Sequence, residues 1–183
     1  MRLVLFLLAA MLGVPAAVHA QTPKPDPANT LILELKTGRV TIELRPDLAP
    51  KHVARVKQLA KEGFYNGLKF HRVIAGFMAQ TGDPTGTGGG GSKYGSLPAE
   101  FSKAPFERGT IGAARTDDPN SANSQFFICF ADTSHLNGKY TVWGKVVSGM
   151  EHVDKIKKGA PGSGAVSDPD TIVKMYLLAD AKG

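Results

Sequence analysis

The chain has 183 residues, 42% hydrophobic, 21% charged and 8% aromatic, with a formal charge of +6. These proportions describe one globular domain with a real core, and they exclude disordered and collagen-like chains. A single cysteine excludes an internal disulfide framework, and no Cys/His spacing suits a zinc site, so neither metal nor other cofactor is expected.

Arg2 precedes an apolar and small-residue run from Leu3 to Val14, and Val18-His19-Ala20 closes the segment. This is the layout of a secretory signal over residues 1–20, with cleavage expected after Ala20. The run is too short to span a bilayer, so no stable membrane insertion is expected. Removing Arg2 leaves a charge of about +5 on the mature chain. The basic residues are scattered, with no run longer than Lys157-Lys158, so a nucleic-acid partner is not expected either. Residues 21–29, rich in proline, read as an extended linker before a domain over residues 30–183.

Leu31, Leu33 and Leu35 alternate along one strand and Val40, Ile42 and Leu44 along a second, with Lys36-Thr37-Gly38 between them as the turn of a hairpin. A helix follows. Asp47 is placed to cap it, Pro50 suits its first turn, Val53, Val56, Leu59 and Ala60 form its apolar stripe, and Gly63 ends it. Six further strands are expected near residues 69–74, 77–81, 110–114, 125–130, 140–147 and 171–179. Met150, Val153 and Ile156 mark a second short helix, and residues 159–164 a loop. Eight short strands with two helices imply a mainly β fold, an eight-stranded antiparallel barrel that closes on itself and is capped by the helices. Helices do not alternate with strands, so a parallel α/β fold is disfavoured.

Several chemistries fail on inspection. Gly86-Thr87-Gly88-Gly89-Gly90-Gly91-Ser92-Lys93 lacks the Gly-Lys-Ser/Thr order of a phosphate loop and reads as a flexible surface loop. There is no Gly-x-Ser-x-Gly elbow, and His52 and His152 read as solvated helix residues. Cys129, inside Phe126-Phe127-Ile128-Cys129-Phe130, reads as a small buried core residue with no activating neighbour.

What remains is a cluster of another kind. Residues 70–83 read Phe-His-Arg-Val-Ile-Ala-Gly-Phe-Met-Ala-Gln-Thr-Gly-Asp, and strand alternation puts Met78 and Gln80 on one face. Asn123-Ser124-Gln125-Phe126-Phe127-Ile128-Cys129 and Gly138-Lys139-Tyr140-Thr141-Val142-Trp143-Gly144 are two further dense motifs. With these three segments, the chain from about Asn29 to its end resembles the cyclophilin family of peptidyl-prolyl cis-trans isomerases, and among them the exported bacterial forms. The resemblance implies a cyclophilin-like barrel and an enzyme that rotates Xaa-Pro peptide bonds, assisting the folding of exported proteins. Its partners would be proline-containing, unfolded or partly folded polypeptides, its compartment the periplasm or the medium, and its state a monomer.

By the same resemblance Arg72 and Gln80 are the catalytic pair, with Phe77, Met78, Phe127 and Leu136 as walls of a proline pocket. Ala114, Arg115, Gln125 and Tyr140 would contact the substrate along the groove. Three positions depart from well-known eukaryotic members: Arg115 stands for asparagine, His135 for tryptophan and Tyr140 for histidine. Without that tryptophan, weak cyclosporin binding is expected. The alternative is a non-catalytic proline-peptide binding module or holdase, against which Arg72 and Gln80 argue, since a pure binder has no need of that arginine.

Overall fold

The structure is a computed structural model that describes residues 25–181. The expected signal segment and residues 21–24 of the linker lie outside the described residues. The elements in chain order are β1 (Thr30–Leu35), β2 (Gly38–Leu44), α1 (Pro50–Lys61), β3 (Arg72–Ile74), β4 (Met78–Thr81), β5 (Thr110–Ala113), β6 (Phe126–Cys129), β7 (Val142–Ser148), α2 (Met150–Asp154) and β8 (Ile172–Leu177). All pair antiparallel in a single sheet of order β3-β4-β6-β5-β7-β2-β1-β8.

The sheet curls into a half-barrel and its ladder does not close. Its end strands are β3 and β8, and the segments around them touch through the isolated bridges Lys69–Thr171 and Arg72–Ala165. The closed ladder expected from strand count is therefore replaced by an open one. The reason is local: the looped segment Gly159–Ala165 occupies the outer edge of β3, Val73 N–H donating to Gly164 O and Gly159 N–H to Val73 O, so β8 does not pair with that strand. Pro27–Asn29, expected to be extended, forms a 3-10 turn capped by the Asp26 carboxylate, which accepts from Ala28 N–H.

Strand alternation divides the interior in two. Along β6, Phe126 and Ile128 join the main core with Leu33, Ile42, Val53, Leu59, Tyr65, Phe70 and Trp143. Phe127 and Cys129 face the other way, into a second cluster with Met78, Phe106, Leu136 and Val142. β4 splits alike, Ala79 to the main core and Met78 to the second cluster. Cys129 is fully buried, and burial pushes its thiol up to about 11, so it is an inert core residue as expected.

Helix α1 departs from its expected start. Asp47 does not cap it; that carboxylate pairs with Arg45 at 2.7 Å, and Ala49 holds the cap position without a side-chain bond. The orphan N–H groups of Lys51 and His52 donate to Glu100 instead, each at 3.0 Å. His52 is no solvated residue. It is 3% exposed, with Nδ1 2.6 Å from the same carboxylate. Burial holds its pKa below the usual imidazole range although Glu100 pulls the other way. A neutral ring with Nδ1–H donating to Glu100 accounts for this, and it leaves Nε2 as a bare buried acceptor. His152 is half-buried, packed over Gly38 in the β1–β2 turn, where a β-carbon would overlap the imidazole.

Candidate active site

The second cluster ends in an open cavity of about 160 Å³. Nine of the ten residues singled out from the sequence line it: Arg72, Phe77, Met78, Gln80, Ala114, Arg115, Phe127, Leu136 and Tyr140. Gln125 lines the adjoining hollow of about 320 Å³, which shares Gln80, Ala114 and Arg115 with the first. Larger hollows beside the end of α1 and beside β2 bring no comparable set of groups together.

The elements explain the convergence. β3 and β4 form a short hairpin whose register sets Arg72 opposite Gln80 and Ile74 opposite Met78. β6 pairs with β4 so that Phe127 faces Gln80 and Cys129 faces Met78. β5 lies on the far side of β6 and places Gly112 opposite Phe127. A β-carbon at Gly112 would overlap the rings of both Phe127 and Phe106, so glycine there lets the two rings lie 5.8 Å apart, stacked, with Phe127 lining the cavity and the buried Phe106 packed against it. Tyr140 meets Phe127 edge to face at 5.7 Å, and the exposed His135 packs on Phe77 at 5.4 Å by the rim.

The guanidinium of Arg72 is half-buried and has partners. Its Nη1 donates to Gln80 Oε1 at 3.2 Å and its Nε to the carbonyl of Ser163 at 3.2 Å. Gln80 Nε2 in turn donates to Gln125 Oε1 at 2.9 Å, and Gln125 Nε2 to the carbonyls of Gly88 and Gly90. Among the described residues Arg72 Nη2 makes no hydrogen bond. One donor group of the cation is thus left for a ligand in a site walled by Phe77, Met78, Phe127 and Leu136.

The glycine-rich loop is ordered by a buried anion. Asp83 is 1% exposed and accepts from Thr85 N–H, Thr85 Oγ1–H and the N–H groups of Thr87 and Gly88. Burial opposes its ionisation, but these donors overcome it and hold its pKa at about 2. The loop expected to be flexible is therefore tied down at Asp83 and at Gln125.

Sequence reasoning missed Ser163, Gly112, Phe106 and Asp83. Ser163 acts through its carbonyl, which any residue carries, so nothing in the sequence could mark it. Gly112 and Phe106 left a signal, a glycine and an aromatic beside predicted strands, but only the sheet register brings them to Phe127.

Residues 30–177 match the model of the family described as cyclophilin type peptidyl-prolyl cis-trans isomerase/CLD. A probable peptidyl-prolyl cis-trans isomerase of Brucella suis is 57% identical, covering 95% of each chain. A peptidyl-prolyl cis-trans isomerase of Helicobacter pylori is 46% identical over 72% of this chain and 84% of that one. Among solved structures, a cyclophilin from Hirschia baltica superposes with a TM-score of 0.76 at 28% identity, covering 86% of this chain and 77% of that one. A cyclophilin-type isomerase of Cryptosporidium parvum, crystallised in the presence of the dipeptide Ala-Pro, superposes with a TM-score of 0.74 at 31% identity, covering 81% and 98%. On its matched family model, its full-length relatives and its sheet, this chain belongs to the cyclophilin-type peptidyl-prolyl cis-trans isomerases.

Proposed function

We propose that the cavity of about 160 Å³ is where this peptidyl-prolyl cis-trans isomerase takes its proline, with Arg72 and Gln80 as the catalytic pair. The observation that carries the reading is the tethered guanidinium with one donor group left over an apolar pocket. The cavity lies below the usual volume of a cofactor or drug-sized ligand site and suits one small side chain.

The peptide bond before proline turns over a barrier of about 18–20 kcal/mol and takes tens of seconds or longer unaided. Reaching milliseconds needs roughly four or five powers of ten, or about 5.5–7 kcal/mol. No covalent step is needed. Twisting the bond breaks amide resonance and returns a lone pair to the prolyl nitrogen. Arg72 donates to that lone pair, an interaction that the planar ground state lacks, so the twisted state gains most. Ser163 and Gln80 hold the guanidinium before substrate arrives, which spares its reorganisation during the reaction. The apolar walls grip the ring, and Gln80 restrains one side of the peptide, so rotation is confined to one bond.

Proline-containing polypeptides in an unfolded or partly folded state are the substrates this open cleft suits. The signal-like pattern of Arg2, Leu3–Val14 and Val18-His19-Ala20 supports export, to the periplasm or beyond, and a role in folding other exported chains. His135 beside Phe77 offers a small polar ring where an indole would give a broad apolar wall, which supports weak cyclosporin binding. In a peptide isomerisation assay Arg72→Lys lowers kcat/KM about 100-fold, because a point charge cannot keep the bonds to Ser163 and Gln80 while reaching the nitrogen. Wild-type turnover in that variant would remove Arg72 from the role.

A further inference from the structure

Arg115 stands at the partition between the two hollows and lines both. Its two terminal nitrogens, however, are turned to the protein, while Nε is buried without a partner among the described residues. Nη1 donates to the carbonyls of Thr116 at 2.7 Å and Asp117 at 3.3 Å, and Nη2 to the carbonyl of Lys139 at 2.9 Å. The guanidinium carbon Cζ lies over the Tyr140 ring, 4.4 Å from its centre, within the range of a cation–π contact. The side chain thus joins the loop after β5 to the residue preceding Tyr140, across the mouth of the cavity.

Tyr140 depends on that join. Its ring packs edge-on to Phe127 at 5.7 Å and to Phe106 at 6.5 Å, and among the described residues its hydroxyl makes no hydrogen bond. Nothing polar therefore pins the ring, and packing alone decides where it stands. The Asn137-Gly138 turn before it, with Gly138 at φ 68°, brings the chain in from the solvent side. In a cavity of about 160 Å³ a ring that tilts by an ångström changes the width of the slot appreciably.

We propose that Arg115 is a positioning residue. It meets substrate little through its own charge, and it clamps Tyr140 as the movable wall of the proline slot. The inference rests on the proline-pocket reading given above. A lysine at this position has neither the planar face to cover the ring nor the fork to reach carbonyls on two loops, so Arg115→Lys fails to rescue.

The test is a double-mutant cycle on the full chain, using a short Ala-Ala-Pro-Phe peptide for turnover and its equilibrium affinity in parallel. Arg115→Ala raises KM about 5- to 10-fold, with a smaller fall in kcat and no change in melting temperature. In a Tyr140→Ala background the same replacement adds less than twofold, because the wall it holds is already gone. Additive losses, or an unchanged KM and affinity in Arg115→Ala alone, would overturn the proposal. A wild-type chain that binds the peptide but does not turn it over contradicts the catalytic reading, and the affinity cycle still decides the role of Arg115.

Discussion

Gly112 is the residue on which the placing of Phe127, a wall of the cavity, rests. Its backbone is ordinary strand, so alanine costs nothing in φ and ψ; the cost lies in space, since the added methyl meets Phe127 and Phe106 together. Overpacking of this kind costs about 1–3 kcal/mol. Gly112→Ala therefore lowers stability by that amount and drives the Phe127 ring toward the slot. The expected kinetic result is at least a tenfold fall in kcat/KM, measured beside a thermal melt. Full activity with a lowered melting temperature would show that the rings relax away from the cavity instead. At this scale the sequence, through its dense motifs, grouped Phe77, Met78 and Phe127, which line one cavity. It was silent on Gly112 and Ser163, whose contributions are an absent side chain and a backbone oxygen. It also misread His52, whose burial depends on Glu100 arriving from far along the chain.

The elements were legible where hydrophobic period decides them. All eight strands and both helices occupy the stretches that alternation and the apolar stripe of α1 marked out, and Pro50 opens α1 as expected. The α1 cap was not legible, because its acceptor lies 48 residues away from His52 in the chain. One carboxylate there satisfies two helix N–H groups and an imidazole. Burial raises the Glu100 pKa, but the donors from His52 and Lys51 more than offset it, so the carboxylate is held ionised where the helix N-terminus favours an anion. Glu100→Ala leaves all three donors without their acceptor, and chemical denaturation at pH 7 should show a loss of about 2–3 kcal/mol. A loss within about 0.5 kcal/mol would mean that water replaces the carboxylate and that α1 needs no cap from outside.

At the scale of the whole molecule, the half-barrel works as a frame that commits one face of β4 and β6 to the main core and the other to a second buried cluster, which opens into the cavity. The glycine-rich segments 86–92 and 159–164 meet the polar chain of Arg72, Gln80 and Gln125 at opposite ends, through Gln125 and through the Ser163 carbonyl on Arg72. Strand count suggested a closed barrel because eight strands with buried edges have few other solutions. It could not show that the second of these segments breaks the ladder between β3 and β8, nor that the break supplies the oxygen holding the Arg72 guanidinium. On the function proposed above, a tethered Arg72 accelerates rotation about Xaa-Pro bonds in a folding chain. The refolding of a protein limited by one slow proline step tests this, with catalytic amounts of the wild-type protein or of Arg72→Ala. The expected result is acceleration by the wild type and its near-complete loss in the variant, with both proteins folded. Equal acceleration by the two, or none by a folded wild type, would contradict it.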